Sequence, residues 1–141
     1  MSFYHYSSAP FILDRSHPYS DGNGGTFKPN GLWLSDETAW EEWCRGEEFA
    51  LERLQHKTLI QLNMDRILLL DTHGKLAQFS ADFKVQDIYP GIGRINWKLL
   101  LNHFDGVAIV PYSVPARNAF LWYYGWDCSS ACVWNLEAII Q

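Results

Sequence analysis

The sequence predicts an α+β fold in a single domain. Short apolar runs of strand length are interspersed with stretches that carry large side chains at helical spacing. Their order reads β, β, α, β, β, α, α, β, β, which lacks the regular βαβ alternation of a doubly wound sheet. With 141 residues the chain has room for one domain, residues 1–141, built around one sizeable core. The expected architecture is a mixed, mostly antiparallel sheet with short flanking helices.

The elements follow from the residues in order. Ser2 to Tyr6 reads as a strand with Phe3 and His5 on one face and Tyr4 and Tyr6 on the other. A long irregular stretch from Ser7 to Asn30 follows. Within it Asp21-Gly22-Asn23-Gly24-Gly25 has the residues most tolerant of positive φ, so the stretch reads as a binding loop or as a plain surface excursion. Gly31 to Leu34 is a second strand. Ser35 is a candidate N-cap for a helix that starts with Asp36 and Glu37, shows Ala39, Trp40 and Trp43 as its apolar stripe, and ends near Gly46.

Leu59 to Leu62 and Ile67 to Asp71 are strand-length apolar runs, and Asn63-Met64-Asp65-Arg66 between them suggests a hairpin turn. Thr72 is placed to cap a helix through Phe83, with Leu76, Phe79 and Phe83 inward. Pro90-Gly91-Ile92-Gly93 breaks the chain before a short helix from Ile95 to Phe104, with Trp97, Leu100, Leu101 and Phe104 inward. Val107 to Val110 is a buried strand. Beyond Pro111 and Pro115 lie Phe120 to Tyr124, and Ala131 to Trp134 is the last strand.

Composition narrows the function classes. Hydrophobic residues make up 48% of the chain, which argues against disorder. No apolar run approaches the roughly 20 residues of a membrane-spanning helix. No basic segment followed by an apolar stretch opens the chain, so a cytoplasmic location is the expectation. Three cysteines, an odd number, argue against a disulfide framework. Cys128 and Cys132 lack the spacing and His partners of a zinc site and are expected as buried thiols, with no metal. The net charge is −5 with 11 basic residues scattered along the chain, which disfavours bulk nucleic-acid binding. Seven Trp, seven Tyr and eight Phe point to a core of large rings, or to a ring-lined pocket or binding face.

No dinucleotide fingerprint, phosphate-binding loop, nucleophile elbow or zinc-protease motif occurs. Two short stretches carry what chemistry the sequence suggests: Phe3-Tyr4-His5-Tyr6-Ser7-Ser8 and Gly31-Leu32-Trp33-Leu34-Ser35. Together they resemble the motifs of ADP-ribosyltransferases of the diphtheria-toxin/PARP type. In that family a His-bearing strand lies beside a Gly-x-aromatic-x-Ser strand that runs into a helix. Trp33 stands where the family usually has Tyr, and Tyr6 where it often has Gly. The resemblance implies a cleft that binds NAD, with His5, Tyr6, Ser7, Gly31, Trp33 and Ser35 contacting the cofactor and Asp127 or Glu137 as the catalytic acid. A carboxylate there would stabilise the oxocarbenium-like state formed as the nicotinamide–ribose bond breaks, and an aromatic ring would stack on nicotinamide. Asp105-Gly106-Val107, Trp122 to Asp127 and Cys132-Val133-Trp134 also resemble small phage and bacterial proteins of unassigned role.

Each candidate also has a plain structural reading. His5 can be a satisfied structural histidine, Trp33 a core residue, Ser35 a cap and Glu137 a solvated residue near the chain end. Asp127 can accept backbone N–H bonds from Ser129 or Ser130 in an Asx-turn, or face a ligand. Tyr123, Tyr124 and Trp126 can line a pocket or pack in the core. The leading functional expectation is NAD-dependent mono-ADP-ribosyl transfer to a macromolecule, by a phage or bacterial effector. The alternative is a non-catalytic acidic, aromatic-rich protein that engages a host protein or sequesters a nucleotide. A sugar- or nucleobase-binding fold follows from ring density alone. The oligomeric state is open.

Overall fold

The computed structural model describes residues 1–19, 27–85 and 93–140. Asp21 to Gly25 and Pro90 to Ile92, read above as loop and chain break, lie outside the described residues. Among the described residues six strands form one sheet: β1 (Ser2–Ser7), β2 (Leu32–Asp36), β3 (His56–Gln61), β4 (Ile67–Leu69), β5 (Gly106–Ile109) and β6 (Ser130–Val133). Their spatial order is β3-β1-β2-β6-β5-β4. Every neighbouring pair is antiparallel except β4 and β5, which run parallel. Among the described residues three α-helices accompany the sheet: α1 (Ala39–Glu47), α2 (His73–Phe83) and the one-turn α3 (Ala116–Ala119). The architecture is therefore α+β, as the element order predicts. None of these helices is long and apolar enough to cross a membrane.

The sheet separates two apolar layers because strand side chains alternate between faces. Phe3, Leu34, Ile60, Ile67, Ala108, Ala131 and Val133 fill one layer, which Leu136, Ala138 and Ile139 close from the C-terminal side. The start of the long N-terminal stretch runs along this layer. Phe11 and Leu13 pack on it, and Arg15 Nη1 donates to the carbonyls of Leu136 (3.2 Å) and Ile139 (2.6 Å). These bonds satisfy carbonyls at the end of a short 3₁₀ turn.

The other layer holds Val107, Ile109 and Cys132 under Leu76 and Phe79 of α2, together with Trp97, Leu100, Trp122, Tyr123 and Trp126. Several rings meet edge to face: Trp97 and Trp122 have centroids 5.8 Å apart at 79°, and Trp122 and Trp126 6.2 Å apart at 84°. Such contacts favour the positive edge of one ring over the negative face of the next. Much of the unusual Trp content is thus core.

Thr72 Oγ1 accepts the Lys75 N–H at 3.1 Å and opens α2, which ends at Phe83 as its apolar spacing predicts. Elsewhere the structure departs from expectation. The predicted hairpin does not form: β3 and β4 lie at opposite edges of the sheet. Residues 64–66 are a 3₁₀ turn whose Asn63 Oδ1 accepts the Asp65 N–H at 3.2 Å. That segment has no Gly to supply the positive φ values of a tight hairpin turn. The helix expected from Ser35 begins later, at Ala39, because Ser35 and Asp36 belong to β2 and Glu37 turns the chain at φ 47°. The helix expected over 95–104 is a single 3₁₀ turn at Trp97–Leu100. Another such turn spans Leu121–Gly125.

Candidate functional site

A cleft of about 330 Å³ opens on the face of the sheet that carries Tyr4, Tyr6, Trp33 and Ser35. The pairings Tyr4↔Ser35, Trp33↔Cys132 and Ser35↔Ser130 fix these residues to one face of β1, β2 and β6. Trp40 of α1, Phe49 and Arg53 form one wall, Gly125 to Cys128 form another, and Lys28 stands at the rim. The chain reaches the cleft from four separate regions.

Local structure explains how the pieces are held. Ser35 is buried, and its Oγ accepts the Trp40 N–H at 2.9 Å, so the hydroxyl caps α1 from within β2. This bond delivers Trp40 to the cleft wall. Trp40 stacks on Trp43 (5.1 Å, 11°), and Phe49 meets Trp43 edge on at 5.6 Å. Trp33 meets Trp126 at 4.8 Å and 62°. Cations already attend several rings: Lys28 Nζ lies 5.5 Å from the Trp33 centroid, and Lys57 Nζ lies 4.3 Å from that of Tyr4. The Tyr6 hydroxyl donates to the Glu37 carbonyl at 3.3 Å.

Asp127 is the acid of this cleft. Burial pushes its carboxyl above the usual range. Lys28 and Arg117 oppose that shift and Glu47 adds to it. The Asx-turn expected at Ser129 or Ser130 does not form: the causes that set the Asp127 carboxyl are burial and neighbouring charges, with no backbone hydrogen bond among them. Cys128 borders the same space, but burial and Asp127 raise its thiol to about 12. It therefore stays protonated at neutral pH and offers no thiolate nucleophile. Cys44, Cys128 and Cys132 are free and buried. Among the described residues no cluster of metal-ligating side chains gathers.

Of the residues singled out from sequence, Tyr6, Trp33, Ser35 and Asp127 meet at the cleft. His5 borders it along β1, but strand alternation turns its imidazole to the Phe3 side. There the ring packs 4.4 Å from Phe11, and Nδ1 lies 3.1 Å from the Trp33 carbonyl oxygen. Ser7 spends its hydroxyl on the Ala9 carbonyl at 2.6 Å, in a turn. Gly31 has a packing reason: a Cβ there would sit 2.6 Å from Val133 O and 2.7 Å from Cys132 Sγ. Glu137 is exposed within the C-terminal 3₁₀ turn, where its N–H donates to Asn135 Oδ1 at 3.2 Å, and it does not line the cleft. Of the three further rings flagged, Tyr123 is fully buried, Tyr124 is 60% exposed and Trp126 lines the cleft.

Sequence reading missed Tyr4, Lys28, Trp40, Phe49 and Arg53 as lining residues. Period-two alternation is the signal that finds Tyr4, since it follows Tyr6 to the same face. The wall from α1 had no such signal.

No family model, no curated protein and no solved structure matches the chain significantly.

Proposed function

We propose that the cleft binds a nucleotide-type ligand, with NAD as the specific candidate, and that the protein transfers the ADP-ribosyl group to a macromolecule. The observation that carries the reading is that Trp33, Trp126 and Asp127 converge on one cleft. Aromatic walls suit a flat heterocycle, and a desolvated carboxyl suits positive charge on the ring or on the adjacent sugar carbon. The volume lies at the small end of ligand sites, about 300–1,000 Å³. It fits the nicotinamide–ribose half, with the phosphates toward Lys28 and Arg53.

In such a transfer the C–N bond to nicotinamide breaks, and its electron pair leaves with the neutral base. The acceptor's nucleophile then bonds the anomeric carbon and gives its proton to a base, a role open to Asp127. The imidazole of His5 faces away, so ribose hydroxyls would be held by other groups, among which Arg53 lines the cleft. The competing reading is a non-catalytic binding protein. It draws on Phe49 and Leu51, 51% and 44% exposed beside the stacked Trp40 and Trp43.

Thermal denaturation with millimolar NAD, ADP-ribose or nicotinamide tests the proposal. A ligand at one hundred times its Kd stabilises by about 2.7 kcal/mol. A rise in Tm that Asp127→Ala abolishes supports NAD binding at this cleft. No shift with any of the three ligands refutes it, and Trp43→Ala that abolishes capture of a cell protein then favours the binding reading.

A further inference from the structure

The charge of this chain is not spread evenly. Residues 36–54 run from the end of β2 through α1 to the 3₁₀ turn Leu51–Leu54, and they hold seven of the 16 carboxylates and two of the 11 basic residues. Their net charge of −5 equals that of the whole chain. Arg45 pairs with Glu41 at 3.4 Å, and among the described residues no cation pairs with Glu47, Glu48 or Glu52, all three exposed. The same segment carries rings that the core does not take up. Trp40 and Trp43 are stacked and half-buried, Phe49 meets both edge on, and Phe49 and Leu51 are 51% and 44% exposed. Glu47 follows Trp43 by one turn of α1, which sets a carboxylate beside the ring pair. The backbone on either side of Phe49 is left-handed, at Glu48 (φ 53°) and Ala50 (φ 51°). Non-glycine residues hold that conformation at a cost, and here it leaves an aromatic ring half in solvent.

We propose that this face of α1 docks a basic segment of another protein, its arginine or lysine side chains stacked on Trp40, Trp43 and Phe49 and paired with Glu47, Glu48 and Glu52. Charge complementarity selects the occupant. Rings edged by carboxylates attract guanidinium and ammonium groups through cation–π and ion-pair contacts at once. Leu51 offers apolar contact to the alkyl stems of such side chains. The phosphates of a nucleic acid or of an anionic membrane meet repulsion here. The proposal concerns the outside of α1 and rests on neither NAD nor transfer chemistry; it names the partner class that the binding reading leaves open. Trp40 and Phe49 also line the cleft, so a docked segment passes its mouth.

The test is fluorescence anisotropy of the full chain titrated into a labelled decapeptide of alternating arginine and leucine, and into its counterpart with citrulline, uncharged but of similar shape, in place of arginine. The arginine peptide is expected to bind about tenfold more tightly. Trp43→Ala and the double variant Glu47→Gln/Glu48→Gln are each expected to weaken it about tenfold. Asp65→Asn/Glu137→Gln, which removes two exposed carboxylates elsewhere, should leave it within about twofold. Should Trp43→Ala not fold, the two double variants decide. Equal binding of the two peptides by the wild type, equal losses in the two double variants, or a folded Trp43→Ala that binds like the wild type overturns the proposal. So does no binding of the arginine peptide, or a preference for a DNA duplex or a phosphatidylserine vesicle over it. Peptide binding without any Tm shift by NAD, ADP-ribose or nicotinamide keeps this proposal and refutes the nucleotide reading, and the converse result does the reverse.

Discussion

Gly31→Ala separates packing from ligand contact. The new methyl carbon would lie 2.6 Å from Val133 O, 2.7 Å from Cys132 Sγ and 2.9 Å from the Val133 carbonyl carbon. Real Cβ atoms essentially never approach closer than 3.0 Å, so β2 and β6 must part by about 0.4 Å or more. β6 cannot yield by sliding toward β5. On that side Gly106 makes the same approach, with a notional Cβ 2.6 Å from Cys132 O. The obstacle is backbone on both flanks, which places the cost in the upper part of the usual range for overpacking, about 2–3 kcal/mol. For a domain of this size that lowers Tm by about 6–12 °C. Thermal unfolding followed by circular dichroism measures it, with Gly46→Ala as the control. Gly46 lies in α1 with nothing within 4 Å of a notional Cβ, so that change should stabilise by about 0.5–1 kcal/mol. A Gly31→Ala protein with unchanged Tm would refute the packing argument. If that protein also lost nucleotide binding, Gly31 would instead be there for the ligand.

Two further predictions bear on the cleft. Ser35→Ala removes the buried acceptor of the Trp40 N–H and is expected to cost about 1–2 kcal/mol, read as a lower urea midpoint; an unchanged midpoint would show that α1 does not depend on this cap. Asp127→Asn tests the sign of a raised carboxyl pKa. The folded state holds the proton more tightly than the unfolded chain, so the stability this group contributes is full below about pH 3.9 and is lost as pH rises through its raised folded value. The Tm advantage of the Asp127→Asn variant over the wild type should therefore grow between pH 4 and pH 7, and a pH-independent difference would refute the assignment.

The parts of the fold that were legible are those whose signal is local. The α2 cap at Thr72 and its apolar residues Leu76, Phe79 and Phe83 each lie about one turn from the next, and the helix forms where they say. β5 and β6 are short runs, apolar except for Ser130, and both are buried on all four residues. Pairing was not legible, because it is decided between residues far apart. β3 carries alternating exposure suited to an edge and finds β1, whereas β4 is held parallel to β5 through Ile67↔Gly106 and Leu69↔Ala108. Nothing in Asn63-Met64-Asp65-Arg66 announces that its flanking strands part to opposite edges. The role of Gly31 was hidden for the same reason: its constraint is the backbone of β6.

For the site, one register decides what the resemblance could only suggest. The resemblance implies that the two short motifs lie on neighbouring strands, and β1 and β2 pair. The pairing Phe3↔Asp36 and Tyr4↔Ser35 gives Tyr4 and Tyr6 the face of Trp33 and Ser35, and gives His5 the face of Leu34. A slip of one residue would exchange these sets. It would bring the imidazole into the cleft, but it would also carry Phe3, fully buried in the other layer, out of its core. Burial of a ring that size is worth about 1.5–3 kcal/mol, more than a strand-borne His–carbonyl contact could return. The hydrophobic demand of Phe3 therefore fixes which side chains reach the cleft. It selects tyrosines and tryptophans with one acid over the histidine that drew attention first, and the chemistry open to this cleft is that of Asp127 among rings.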